Sequence, residues 1–299
     1  MSPRTMLQFA IVTLIWGTTW IVIKYQLGDV NPSWSVSYRF LTGGLTLLAW
    51  CAVKRLPLTV PRHALPFLFA IGLFQFVLNF NFVYRSELYI PSGIPAVAFA
   101  LLMVPNALLA WAFLKRPVSR QFLLGATLGI FGVGLLFAQQ LSLPGSRAET
   151  MLGLTLVIAG VLSASIANVM QASPRALTFP ALPGLAWAML IGAGVNALVA
   201  MVFVGPPQFD TAPSYWLGFL YLGVFASALA FALYFDLIRK MGPAEAAWTS
   251  VLIPIIAMAI STVAEDFRWT PLAIGGSALA LVGLVVALRQ PARRPDPQR

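Results

Sequence analysis

The chain has 299 residues, 59% of them hydrophobic and only 9% charged, with a mean hydropathy of +0.85. An average soluble domain carries about 25% charged residues, so an ordinary globular enzyme, a disordered chain and a coiled coil are excluded. The net charge of +10 would suit nucleic acid, but in so apolar a chain it is read as basic loops on the cytoplasmic face of a membrane, with no nucleic-acid partner. Strands of alternating barrel type are absent, so the apolar runs are expected to be helices in a lipid bilayer.

In chain order, ten apolar segments are predicted at about 7–25, 34–53, 64–84, 93–114, 121–139, 151–171, 184–205, 214–236, 244–264 and 271–288. Turn-forming residues separate them, among them Asn31-Pro32, Pro57, Pro144-Gly145, Pro206-Pro207 and Gly242-Pro243. The first segment is too long for the apolar core of a signal peptide and is kept as a span. With the N-terminus in the cytoplasm, 14 of the 19 Lys and Arg residues fall inside. Five fall outside: Lys24, Arg39, Arg85, Arg147 and Arg268. That bias predicts an even number of spans and both termini in the cytoplasm. The polar, Pro-rich tail 290–299 is expected to be disordered. Cys51 is the single cysteine, so no intrachain disulfide can form, and it reads as a small packing residue.

The sequence repeats itself weakly at a spacing of 149 to 151 residues. Ile71-Gly72-Leu73-Phe74 matches Leu222-Gly223-Val224-Phe225, Pro105 matches Pro254, and Gly125 and Gly132 match Gly276 and Gly283. Gly43 pairs in the same way with Gly192. A period of five spans turns the second copy upside down, the architecture of carriers whose substrate sits between two halves. The halves are expected at 1–142 and 150–289.

Ile15-Trp16-Gly17-Thr18-Thr19-Trp20 with Lys24, Tyr38-Arg39-Phe40 in the second span, and Gly125, Gly129 and Gly132 in the fifth resemble EamA-type transporters of the drug/metabolite transporter superfamily. Within it the chain is similar to YddG-type exporters of aromatic amino acids. The resemblance implies an all-α protein of a bacterial inner membrane, with ten helices in two inverted five-helix halves. It also implies a central cavity lined by helices 1, 3, 4, 6, 8 and 9. The chain departs from the pattern in one place. The family's Glu near the end of the fourth helix is replaced by Lys115-Arg116-Pro117, whereas Glu265 stands at the matching place in the second half.

Polar and aromatic groups at bilayer depth usually face the bundle interior. Gln75, Asn79 and Phe82 are spaced i, i+4, i+7 and predict one face of the third helix. Phe99 and Asn106, with Met103 between them, do the same on the fourth. Asn168, Tyr234, Thr249, Trp20 and Trp248 complete the candidate substrate-binding set. The amides could equally serve as hydrogen bonds between helices. Trp34, Trp111, Trp216 and Trp269 lie near span ends and read as anchors at the headgroups. Pro105 and Pro254 are expected to kink their helices and free backbone carbonyls. The glycine series in the fifth span is read as close helix packing. Arg39 and Glu265 are expected to pair across the halves, since their symmetry-related positions, Ala188 and about Arg116, lack both charges.

Neither enzyme chemistry nor a metal or cofactor is expected. A serine protease needs a histidine at depth, and the sole histidine, His63, lies in a basic loop; zinc ligands are missing. No carboxylate stands at midspan in the first or sixth helix, so flux down a gradient is expected rather than simple carboxylate-based proton exchange. A monomeric exporter of amino acids, aromatic ones first, follows from this reading. Export of drugs or nucleotide- or sugar-type metabolites, and a structural role without transport, stay open.

Overall fold

The computed structural model describes residues 2–241, 246 and 248–288, all helical or loop. Among them nine helices are long and apolar enough to cross a membrane. They are α1 (Pro3–Tyr25), α2 (Pro32–Val53), α3 (Arg62–Ser86), α4 (Gly93–Leu114), α5 (Arg120–Ser142), α6 (Arg147–Gln171), α7 (Ala181–Phe203), α8 (Pro213–Tyr234) and α10 (Pro271–Leu288). A shorter apolar helix, α9 (Thr249–Ala264), lies between α8 and α10, and α8 continues as helix to Met241. The chain is an all-α membrane protein. The expected Gly242-Pro243 break and the 290–299 tail lie outside the described residues.

Local sequence explains why several helices begin earlier than their apolar cores. Ser2 accepts the Thr5 amide at 3.2 Å with Pro3 at the first helical position, and Asn31 accepts the Ser33 amide at 3.0 Å ahead of Pro32. Ser119 and Ser146 cap α5 and α6 in the same way. These side chains satisfy amides that a helix start leaves unpaired, and proline has no amide to leave.

α3 and α8 share a feature that apolar periodicity does not reveal. Each contains a π-helical stretch, Gly72–Asn79 in α3 and Tyr221–Leu229 in α8. A turn closed i to i+5 holds an extra residue and rotates everything beyond it by about 100° around the axis. It also leaves carbonyls for side chains of neighbouring helices. Asn196 of α7 donates to Phe76 O at 2.9 Å, and Trp16 of α1 donates to Ala226 O at 3.1 Å.

The packing repeats after five helices. α1 packs on α9 as α6 packs on α4, and α2 meets the π segment of α8 as α7 meets that of α3. α2 packs along α7, and α5 along α10. The last pair is the tightest. A Cβ built on Gly132 would lie 2.6 Å from the Gly276 carbonyl oxygen, and one on Gly283 would lie 2.6 Å from that of Gly125. Only glycine lets the two backbones approach this closely.

The two proline-bearing helices differ. α4 is interrupted at Leu101 and Leu102, one turn before Pro105. Pro105 has no amide to give Leu101 O, which instead accepts from Val104 N at 2.8 Å. α9 runs through Pro254 as one helix. α4 ends at Lys115, which adopts the left-handed conformation (φ 56°) and donates its Nζ to Ala112 O at 3.0 Å.

Candidate substrate cavity

A cavity of about 310 Å³ lies between the helices. This is the lower edge of the usual range for small-molecule sites, roughly 300–1,000 Å³. Its walls come from the C-terminal halves of α1, α3, α6 and α8 and the N-terminal halves of α4 and α9, with one residue, Arg39, from α2. The same parts of equivalent helices therefore meet around one space.

Seven of the ten candidate residues line this cavity: Trp20, Gln75, Asn79, Phe99, Asn168, Tyr234 and Thr249. Pro254 lines it too. Phe82, Asn106 and Trp248 do not. For Phe82 the cause is the π stretch, which turns the face so that Phe80 and Val83 meet the cavity beside Gln75 and Asn79. Asn106 falls beyond the interruption of α4, whose cavity residues end at Leu102, and Pro105 stays out of the wall with it. Trp248 is 37% exposed, and its neighbour Thr249 faces inward instead. Trp34 is a further correction: it is buried and stacked on Tyr38 at 5.8 Å, whereas Trp111, Trp216 and Trp269 are exposed.

Six aromatic side chains stand in the wall: Trp16, Trp20, Phe80, Phe99, Phe231 and Tyr234. Trp16 packs edge-on to Phe231 at 5.4 Å and against Tyr234 at 5.0 Å, and Trp20 packs on Phe99 at 5.3 Å. Between these rings stand amide acceptors with nothing to accept. Gln75 Oε1 and Asn79 Oδ1 are buried without a hydrogen-bond partner. An unmet buried acceptor costs about 1–3 kcal/mol, which a ligand N–H would remove. The neighbouring Asn81, by contrast, is fully engaged with Ser33, Arg85 and Asn196 in a network joining α2, α3 and α7. Asn81 is thus structural, while Asn79 stands in the cavity wall.

The pairing expected between Arg39 and Glu265 is not made. Glu265 ends α9 and accepts from Ser92 N at 3.0 Å, from Ser92 Oγ, and from Ser261 Oγ at 2.7 Å. Its carboxylate covers the N-terminus of α4, where unpaired amides and the helix dipole attract an anion. Arg39 donates Nε to Ser227 Oγ at 3.2 Å, in the π stretch of α8.

Sequence reasoning passed over Glu87, in the segment between α3 and α4. It is fully buried, and neither carboxyl oxygen has a hydrogen-bond partner. Lys24 Nζ donates to its backbone carbonyl rather than its carboxyl. Burial pushes the Glu87 carboxyl well above the ordinary carboxylate range, with Glu265 adding to the rise while Lys24 and Arg39 oppose it. The folded chain therefore holds a proton that the unfolded chain releases, and stability falls as pH rises from the ordinary carboxylate value towards the raised one. Glu87→Gln mimics the protonated form. Its melting temperature in detergent is expected to lose that part of the pH dependence and to exceed the wild type's at the high-pH end; parallel curves would refute the assignment.

Comparison with known proteins agrees with this architecture. The family profile described as EamA-like transporter family matches residues 4–138 and again 151–289. The chain belongs to the EamA-like transporter family. It is 28% identical to protein PagO of Salmonella typhimurium over 94% of this chain and 90% of that one. It is 28% identical to the uncharacterized inner membrane transporter YedA of Escherichia coli K12, over 91% and 88%. A probable amino-acid metabolite efflux pump of Salmonella typhimurium is 26% identical over 92% of both chains. A crystal structure with 20% identity superposes with a TM-score of 0.68, covering 96% of this chain and 97% of the other, a likeness of fold. Family, apolar helices and relatives together make this EamA-like protein a multi-pass protein of the bacterial inner membrane. The family is one of transporters, and the last two of these relatives are named as a transporter and an efflux pump.

Proposed function

We propose that the chain exports small zwitterionic metabolites, aromatic amino acids foremost, by alternating access around the cavity. The observation that carries this reading is the wall itself: the rings of Trp16, Trp20, Phe99, Phe231 and Tyr234 surround unpartnered amide acceptors on α3. Aromatic rings stack favourably on an aromatic side chain. Gln75 and Asn79 suit an ammonium group. A relative named as a probable amino-acid metabolite efflux pump points to the same class.

In this reading the helices form two inverted five-helix halves, with ten spans and both termini in the cytoplasm. The distribution of Lys and Arg, the repeat spacing and the five-helix recurrence of the packing support it. The cavity wall comes from one chain, so a monomer suffices.

Purified protein in liposomes loaded with labelled tryptophan, phenylalanine, leucine, an organic cation or a nucleotide sugar tests the proposal. Efflux of the two aromatic amino acids is expected to exceed that from protein-free liposomes and to persist when the proton gradient is collapsed. Efflux of the cation or the nucleotide sugar alone would overturn the substrate class. No flux of any compound would favour a structural role.

A further inference from the structure

We propose that Arg39 is the carboxylate receptor of the cavity, so that only compounds bearing an anionic oxygen group are carried. This rests on the cavity being the substrate site. Among the described lining residues Arg39 is the one charged side chain. It is 2% exposed, and its Nη1 is buried without a hydrogen-bond partner. Nε donates to Ser227 Oγ at 3.2 Å, which leaves Nη1 for a ligand. The guanidinium carbon sits 4.5 Å from the centre of the Phe80 ring and 5.3 Å from that of Phe40, so its plane is held by aromatic faces.

The acids near it do not neutralise it. Glu265 is committed to Ser92 and Ser261. Glu87 lies outside the cavity wall, and its burial favours the protonated form. Lys24 adds a second positive charge beside Glu87. The Tyr84 hydroxyl lies beside Arg39, and as a neutral group it leaves the guanidinium charge uncompensated. A buried guanidinium without a counter-ion is unfavourable, and a ligand carboxylate removes that penalty. The planar fork matches two carboxylate oxygens at once, which a lysine ammonium does not. Gln75 and Asn79 then offer acceptors to an α-ammonium. The matching position in the second half is Ala188, so the receptor occurs once and gives the cavity a polar end.

The test compares L-tryptophan, indole-3-propionate and tryptamine, which share a ring and differ in charge. Binding to purified protein and uptake into liposomes are read together. Wild type is expected to take tryptophan and indole-3-propionate and to bind tryptamine on the order of 100-fold more weakly, the usual scale for a buried charged contact. Arg39→Gln is expected to weaken tryptophan by a similar factor and to erase the preference; Arg39→Lys falls between. Thermal melting checks folding. Should Arg39→Gln fail to fold, wild-type discrimination and Arg39→Lys decide. Equal binding of tryptamine and tryptophan by wild type, or a preference that survives Arg39→Gln, overturns the proposal. A parallel pair, leucine against isoamylamine, separates the two readings. Discrimination there without tryptophan transport would leave Arg39 as receptor while the aromatic preference fell. Binding of none of these compounds would end both.

Discussion

Gly283→Ala is expected to cost about 3 kcal/mol of stability or to prevent folding, because its new methyl would meet backbone rather than a movable side chain. The atoms in its way are Gly129 N and the Gly125 carbonyl oxygen. The α5 and α10 axes must separate, and every contact along the pair loosens together. Gly134→Ala is the control. It lies on the same helix pair, yet nothing stands within 4 Å of its Cβ position, so a change within about 1 kcal/mol is expected. Apparent melting temperature in detergent and the yield of monodisperse protein read both. If Gly283→Ala melts like wild type, the close backbone approach is wrong.

Trp20→Ala is expected to reduce transport of an aromatic amino acid roughly 30-fold, the effect of losing about 2 kcal/mol from a buried aromatic anchor. Trp20 faces Phe99 at 5.3 Å across the cavity wall, so its removal leaves Phe99 with one face unsupported. The loss should appear as a raised half-saturation concentration, and Trp20→Phe should restore much of it. Trp111→Ala, on an exposed surface, should transport normally. Equal transport by Trp20→Ala and wild type would remove Trp20 from the site.

Much of the architecture was legible in the sequence because lipid imposes one rule: apolar runs must be helices of a set length. The predicted segment 93–114 and the observed α4 share both bounds. Close packing of α5 was readable from its glycines, but not its partner: the structure puts Gly276 and Gly283 of α10 against it. The π stretches were not readable. They lie where α3 and α8 pack against α7 and α2, and a 3.6-residue periodicity does not announce them. Counting 3.6 residues per turn therefore chose Phe82 where Phe80 and Val83 face the cavity. Charges near helix ends were equally ambiguous. Arg39 sits about two turns into α2, and sequence alone suggested an acid for it at similar depth. The nearer attraction for Glu265 proved to be the start of α4. Glu87 was passed over because a carboxylate just outside an apolar run ordinarily reaches water.

The interruption of α4 one turn before Pro105, where α9 is continuous through Pro254 among the described residues, bears on energetics. A carrier made of two identical inverted copies would have inward- and outward-facing states of equal free energy, since inversion interchanges them. Any difference between the copies lifts that degeneracy. The break at Leu101 and Leu102 and the lone guanidinium of α2 are two such differences, one in backbone and one in charge. A bias of about 1.4 kcal/mol already makes one facing state tenfold more populated. On the proposed inverted-repeat reading, a preferred resting state is thus built into the protein by imperfection of its duplication, while net flux still follows the gradient.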